Sequence, residues 1–320
     1  MGSDTEEELI RRIKTLSEQV WEGRCKSPDM GEWLRNFTGR HCGSAEVEHL
    51  HALHLLAHVS YFGLRELRIL LRAMYRELFR YPIVQQIRSD LGGSRDAASI
   101  HRVYSDELKS TRFVGMGNPA ESGTHLLYYF RQENQLPRKC FASQHELLNA
   151  GITDAKVDFS DPGLKRVVFI DDLCGSGDQA VRYSRTLLKD LRTIAVRRGR
   201  ELQFQYLVLF GAVPGLERAA TSTEFDIVKA VNELDESCQV YATNSRLFRK
   251  PPPGIDAALS HELASGYGEE LWPEHPLGFS NGQLLLAFHH NVPDNSLPIL
   301  WHDDETPPWN PIFPRQPKLD

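Results

Sequence analysis

The run VVFIDDLCGSGDQA, residues 167–180, constrains this chain more than any other. Four apolar residues in a row form a strand buried on both faces, and such strands belong to parallel sheets covered by helices. Asp171 and Asp172 follow, then Gly175, Ser176 and Gly177, then a polar stretch of helical character. Ligands of open α/β sheets sit beyond the carboxyl ends of the strands. Glycines let the backbone turn with its amides inward, and a helix start adds partial positive charge, so this loop suits a phosphate. The two acids cannot hold that phosphate, because like charges repel. They suit ribose hydroxyls or a magnesium ion. Hydroxyls, metal and phosphate together describe a ribose phosphate. The plainer alternative is a turn with capping acids.

From residue 111 onward, strands alternate with helices. RFVGM is followed by the helical run THLLYYFRQEN, a candidate strand over 138–141, and a short helix capped by Ser143. A strand over 165–171, a helix over 178–198, and strands over 204–213 and 225–231 complete the series. The alternation predicts an α/β fold, a mainly parallel sheet flanked by helices. Residues 1–95 read as helical with no strand of their own. Asp4 is placed to cap a first helix with Leu9, Ile13, Leu16 and Val20 on one face. A second helix begins near Ser44, and a third covers 64–79. DLGGSRD, residues 90–96, is a hinge out of this portion. The C-terminal part is rich in Pro, Trp and Asn, with one strand over 283–291. The expected organisation is a helical region 1–95, an α/β core 96–235 and a C-terminal extension 236–320 that completes the site.

Composition narrows the function classes. The formal charge of −6 gives no global drive towards nucleic acid, which enters only as an acceptor or through a complex. Five cysteines, scattered and without a C-x-x-C, give neither a disulfide framework nor a zinc site. The N-terminus is acidic, without an apolar signal core, and no run has the length of a membrane span. A soluble, cytoplasmic protein is expected.

VVFIDDLCGSGD resembles the signature of type I phosphoribosyltransferases: an apolar strand, two acids, and a small-residue loop opening a helix. The resemblance implies that Asp171 and Asp172 contact the ribose of phosphoribosyl pyrophosphate, with magnesium beside them. It implies that Gly175, Ser176 and Gly177 hold the 5-phosphate. The loop departs from that signature at Asp178 and Gln179, where threonine and glycine are usual, and a carboxylate beside a phosphate costs affinity unless it turns away. A second loop, GMGNPAESGTH over 115–125, stands where these transferases carry their pyrophosphate loop. Ser122, Gly123 and Thr124 are its candidate ligands, and a capped helix start with Pro119 in its first turn is the equal alternative. The helix over 122–134 and the stretch LGFSNGQLLLAFHHNVPDNSLPILW over 277–301 also resemble phosphoribosyltransferase-like proteins of bacterial conflict and defence loci, including retron-associated ones. That resemblance implies an antiphage effector, with a defence-system ATPase or reverse transcriptase as protein partner. A catalytically inactive ribose-phosphate or nucleotide sensor, or an interaction subunit, is the rival reading.

His289, His290, Asn291, Asp294 and Asn295 cluster near the end of the last strand, where they read an acceptor or are ordinary exposed residues. His51, His54 and His58 fall on one helix face, but without further ligands the face reads as packing. Cys174 has no base that the sequence places beside it and reads as a small loop residue.

Overall fold

The computed structural model describes residues 2–117, 122–149, 157–303 and 308–315, with residues 2, 3 and 122–125 described by backbone alone. It divides into two units, one made of Met1–Leu67 with Asp235–Asp320 and one of Arg68–Leu234. The expected boundary at 95 is therefore not where the chain divides. Residues 68–95 fold with the α/β sheet, and the first 67 fold with the C-terminal part.

The first unit opens with α1 (Gly2–Gln19), α2 (Ser27–Leu34) and α3 (Ala45–Leu56). Asp4 lies inside the first turn of α1 instead of capping it, and Ser44 caps α3 by accepting from the Val47 amide at 3.3 Å. β1 (Ser60–Phe62) corrects the expectation of a strand-free N-terminal region. Its partner is more than two hundred residues away, beyond the reach of local pattern. The chain passes into the second unit within α4 (Leu64–Ala73).

The second unit continues through a π-helical stretch (Met74–Arg80), α5 (Tyr81–Asp90) and α6 (Ala97–Lys109). Next come β2 (Thr111–Gly115), α7 (Ser122–Glu133) and the short antiparallel pair β3 (Leu148–Asn149) and β4 (Asp158–Phe159). β5 (Arg166–Cys174) leads into α8 (Asp178–Tyr183), a π-helical turn (Ser184–Leu188) and α9 (Lys189–Arg197). β6 (Gln203–Ala212), α10 (Val213–Thr221) and β7 (Ile227–Leu234) close the unit. The sheet runs β2-β5-β6-β7 with every pairing parallel. This is the α/β architecture that the alternation predicts.

The candidate strand over 138–141 is instead a 3-10 turn, Arg138–Cys140, with Phe141 making a single parallel bridge to Phe113. Pro137 sets the turn's entry. The two faces of the sheet are both dry. Val167, Phe169, Phe204, Tyr206 and Val208 pack with Leu188, Leu191 and Ala195 of the α8–α9 side. On the other face, Phe113 meets Phe79 at 4.9 Å and Phe130 at 5.1 Å between ring centroids.

The chain returns to the first unit with α11 (Ala257–Leu271) and β8 (Leu286–Phe288), which pairs parallel with β1. The expected strand over 283–291 is thus three residues long. Upstream of it, Ser280, Asn281 and Gln283 all have φ between 51° and 56°, a backbone incompatible with a continuing strand. The core of this unit gathers Trp21, Trp33, Phe37, Tyr267 and Leu300, all buried.

Candidate functional site at the carboxyl end of the sheet

β5 runs past the acids to Cys174, so Asp171 and Asp172 lie within its last turn of pleat and alternate across it. Asp171 is 3 % exposed. Its Oδ2 accepts from the Tyr206 hydroxyl at 2.9 Å and its Oδ1 from the Asp172 amide at 3.0 Å. Burial, and then the neighbouring Asp172 charge, push the Asp171 carboxyl well above the usual carboxylate range. Tyr206 is likewise raised, by burial and the Asp171 charge. Asp172 is half-buried on the opposite side of the strand, and its Oδ1 accepts from the Leu173 amide at 2.8 Å. The adjacent acids are therefore unlike: one is sunk and tied to a tyrosine, the other reaches the surface.

The loop beyond them is set by close backbone approach. Gly177 adopts φ 78° before α8, which a side chain rarely tolerates. A Cβ on Gly215, in the first turn of α10, would stand 2.0 Å from the Gly175 carbonyl oxygen. The loop over 175–177 thus rests directly on α10, and only a glycine at 215 permits it. Asp178 turns towards α10 as well: its Oδ1 is 2.6 Å from Arg218 Nη2. Its Oδ2 accepts from Ser176 Oγ at 2.8 Å, and Arg218 Nη1 reaches the Ser176 carbonyl at 3.4 Å. The carboxylate that departs from the resembled signature is paired with a cation.

β2 neighbours β5 in the sheet. Gln144 ties the end of β2 to α8, its Nε2 donating to the Gly117 carbonyl and to the Tyr183 hydroxyl, both at 3.0 Å. Ser122, Gly123 and Thr124 form the first turn of α7 by backbone. Their side chains, and residues 118–121, lie outside the described residues.

The C-terminal candidates belong to the first unit and are described there. His289 Nδ1 is 2.6 Å from Glu22 Oε2, and Arg24 donates to the His289 carbonyl at 2.9 Å. Phe288 and His290 stack at 5.6 Å. Among the described residues, Asn291 Oδ1 is buried without a hydrogen-bond partner. Asn295 is buried, and its amide donates to the Phe279 carbonyl at 3.0 Å. A Cβ on Gly278 or Gly282 would meet the Asn295 carbonyl oxygen at 2.5 or 2.6 Å. Asn295 therefore clamps the left-handed turn of the LGFSNGQ stretch.

The histidines of α3, and His58 in the turn after it, behave as packing residues. His51 spans the Val47 carbonyl and the Asp256 amide, and His58 Nδ1 lies 2.7 Å from the His54 carbonyl. Among the described residues, no group of three or more His, Cys, Asp or Glu is arranged to hold a metal ion. Burial pushes the Cys174 thiol up to about 12, which argues against a nucleophile.

Sequence reasoning did not single out Tyr206, Gln144, Gly215 or Arg218. Each acts through a partner distant in the chain, and only the one-helix offset between β6 and α10 hints at the last two.

Comparison with solved structures finds a hypoxanthine phosphoribosyltransferase from Trypanosoma cruzi complexed with the product IMP. It shares 13 % identity, with 55 % of this chain and 76 % of that one covered and a TM-score of 0.27. A xanthine-guanine-hypoxanthine phosphoribosyltransferase from Helicobacter pylori matches at 13 % identity over 56 % of this chain and 92 % of that one, TM-score 0.25. No curated protein matches. No helix among the described residues is long and apolar enough to cross a membrane. The family model PRTase-CE matches residues 30–315, nearly the whole chain, so the protein belongs to the PRTase-CE family of phosphoribosyltransferase-like proteins.

Proposed function

We propose that this protein uses phosphoribosyl pyrophosphate and transfers its ribosyl phosphate to an acceptor. The observation that carries the reading is the half-exposed Asp172 at the carboxyl end of β5, immediately before the glycine loop that opens α8. In this reading Asp172 accepts a ribose hydroxyl, and the amides of Gly175, Ser176 and Gly177 receive the 5-phosphate. Asp171 is a positioning residue, fixed by Tyr206 and orienting the Asp172 amide. Ser122, Gly123 and Thr124, at the start of the adjacent helix, take the leaving pyrophosphate. Positive charge that develops on the anomeric carbon is stabilised by the Asp172 carboxylate.

Magnesium fits this donor set in one way. The ion is commonly held by one or two carboxylates together with substrate phosphates and water, and Asp172 supplies such a carboxylate. The metal would neutralise charge on the departing pyrophosphate. The setting we propose is a bacterial defence system, supported by the resemblance of residues 122–134 and 277–301.

Titration calorimetry with phosphoribosyl pyrophosphate, with and without magnesium, tests the reading, alongside pyrophosphate release. Asp172→Asn should weaken binding about tenfold or more, the value of a charge-assisted hydrogen bond, with an unchanged circular-dichroism spectrum. Binding without release in the wild type would make the protein a sensor. Binding untouched by Asp172→Asn would remove the acid from the site.

A further inference from the structure

The second unit holds a basic cavity that the proposed reaction does not use. It has a volume of about 440 Å³ and is lined by Arg80, Val84, Arg88, Arg95, Ala97, Ile100, His101 and Tyr104. The arginines come from three successive elements: the end of the π-helical stretch, the last turn of α5, and the linker to α6. None of these residues belongs to the β5 loop.

The charge in this cavity is not cancelled. Arg88 donates to the Ser94 carbonyl and to Gln85 Oε1, both at 3.3 Å and both neutral. Arg80 lies over the Tyr104 ring, 5.5 Å from its centroid. Among the described residues, no carboxylate forms an ion pair with Arg80, Arg88 or Arg95. The nearby acids are engaged elsewhere. Asp90 accepts from Gln86 at 2.8 Å, and Asp96 caps α6 through the Ala98 and Ser99 amides. Three guanidinium groups gathered in a chain of net charge −6 repel one another, and a bound anion relieves that cost.

The other half of the lining is apolar. Val84, Ala97, Ile100 and the ring of Tyr104 give a floor for a planar or hydrophobic group, beside forks suited to phosphate oxygens. The volume falls within the roughly 300–1,000 Å³ of small-molecule sites. We infer that this cavity binds a nucleoside polyphosphate, with phosphates on Arg80, Arg88 and Arg95 and the nucleoside on the apolar floor. A nucleic-acid strand would need a longer basic track, and Asp90 and Asp96 interrupt one here.

The test uses the full chain and calorimetric titration with ATP, GTP, inorganic triphosphate and a single-stranded oligonucleotide. A nucleotide should bind at least about tenfold more tightly than triphosphate, and Arg88→Gln and Arg95→Gln should each weaken it about tenfold. Arg95 is exposed in the linker, so its variant keeps the fold, and Arg95→Lys should restore part of the affinity. Asp172→Asn should leave nucleotide binding unchanged, and phosphoribosyl pyrophosphate should not compete. That separates this site from the β5 loop whichever way the proposed function falls. Equal affinity for triphosphate, tighter binding of the oligonucleotide, arginine variants without effect, or absence of nucleotide binding would each overturn the assignment.

Discussion

Arg218 Nη2 sits 2.6 Å from Asp178 Oδ1, joining the second turn of α10 to the first residue of α8 across the glycine loop. The pair answers the question raised by an acid at a phosphate-type loop. Its charge is directed at a guanidinium, so the loop amides need not face it. Both side chains are roughly 40 % exposed, so the pair adds less than about 1 kcal/mol to stability. Its weight falls on the ligand. Asp178→Asn should free Arg218 for an incoming phosphate and tighten ribose 5-phosphate several-fold, whereas Arg218→Ala should weaken it. Fluorescence or calorimetric titration of the two variants checks both directions. A weakening in Asp178→Asn would show that the carboxylate holds the ligand itself.

Asp171 and Tyr206 give a test that needs no ligand. Burial raises the Asp171 pKa, so over a range above the ordinary carboxylate value the folded state keeps a proton that the unfolded chain releases. The folded state then binds more protons, and stability falls as pH rises from about 4 towards the raised folded pKa. Asp171→Asn removes that slope. Its stability relative to wild type should increase from pH 5 to pH 8 in urea unfolding. Tyr206→Phe removes a donor from a buried carboxyl and should cost about 1–3 kcal/mol at neutral pH. An Asp171→Asn variant whose deficit is the same at both pH values would show that the acid is ionised in the fold.

The parallel sheet and the acid-glycine loop were legible because their signals are local. Residues 167–170 are apolar without alternation, and the two acids and the glycines follow by residue 177. The division into units was not legible, because β1 and β8 pair across most of the chain and each is only three residues long. The unlike environments of Asp171 and Asp172 follow from strand alternation once the strand is known to continue to Cys174. What occupies each face does not. Tyr206 lies on a strand whose sequence is mostly apolar, and its hydroxyl gains meaning only beside Asp171. The π-helical turns after Ala73 and Tyr183 leave the apolar spacing nearly helical, so periodicity passes over them.

Gly215→Ala tests whether the loop depends on α10. The added Cβ would meet backbone, the Gly175 carbonyl at 2.0 Å, and backbone cannot rotate aside as a side chain can. Overpacking of this kind costs about 1–3 kcal/mol, so thermal unfolding should fall measurably. Binding of ribose 5-phosphate should weaken in parallel. A variant with wild-type melting and wild-type binding would show that the loop and helix move apart freely.

His54 offers a pH test in the first unit. Its ring is buried in α3, the ring of His58 lies 4.6 Å away, and the Leu247 backbone offers it only a partial hydrogen-bond partner. Burial first, then the charges of His58 and His51, lower its pKa from 6.5 to about 3. Above pH 6.5 the ring is neutral in both states and contributes nothing to pH dependence. Below it, the unfolded chain takes up a proton that the folded state refuses, so stability drops as pH falls towards 3. At pH 5 the loss is about 2 kcal/mol, from 1.36 kcal/mol per pH unit. His58, also lowered by burial, adds a loss of the same sign. His54→Leu keeps an apolar filling and removes the titration. The difference between variant and wild type in urea unfolding should therefore shift in the variant's favour between pH 8 and pH 5. If the two proteins lose stability in parallel over that range, His54 is protonated or solvated in the folded state, and the buried-neutral assignment fails.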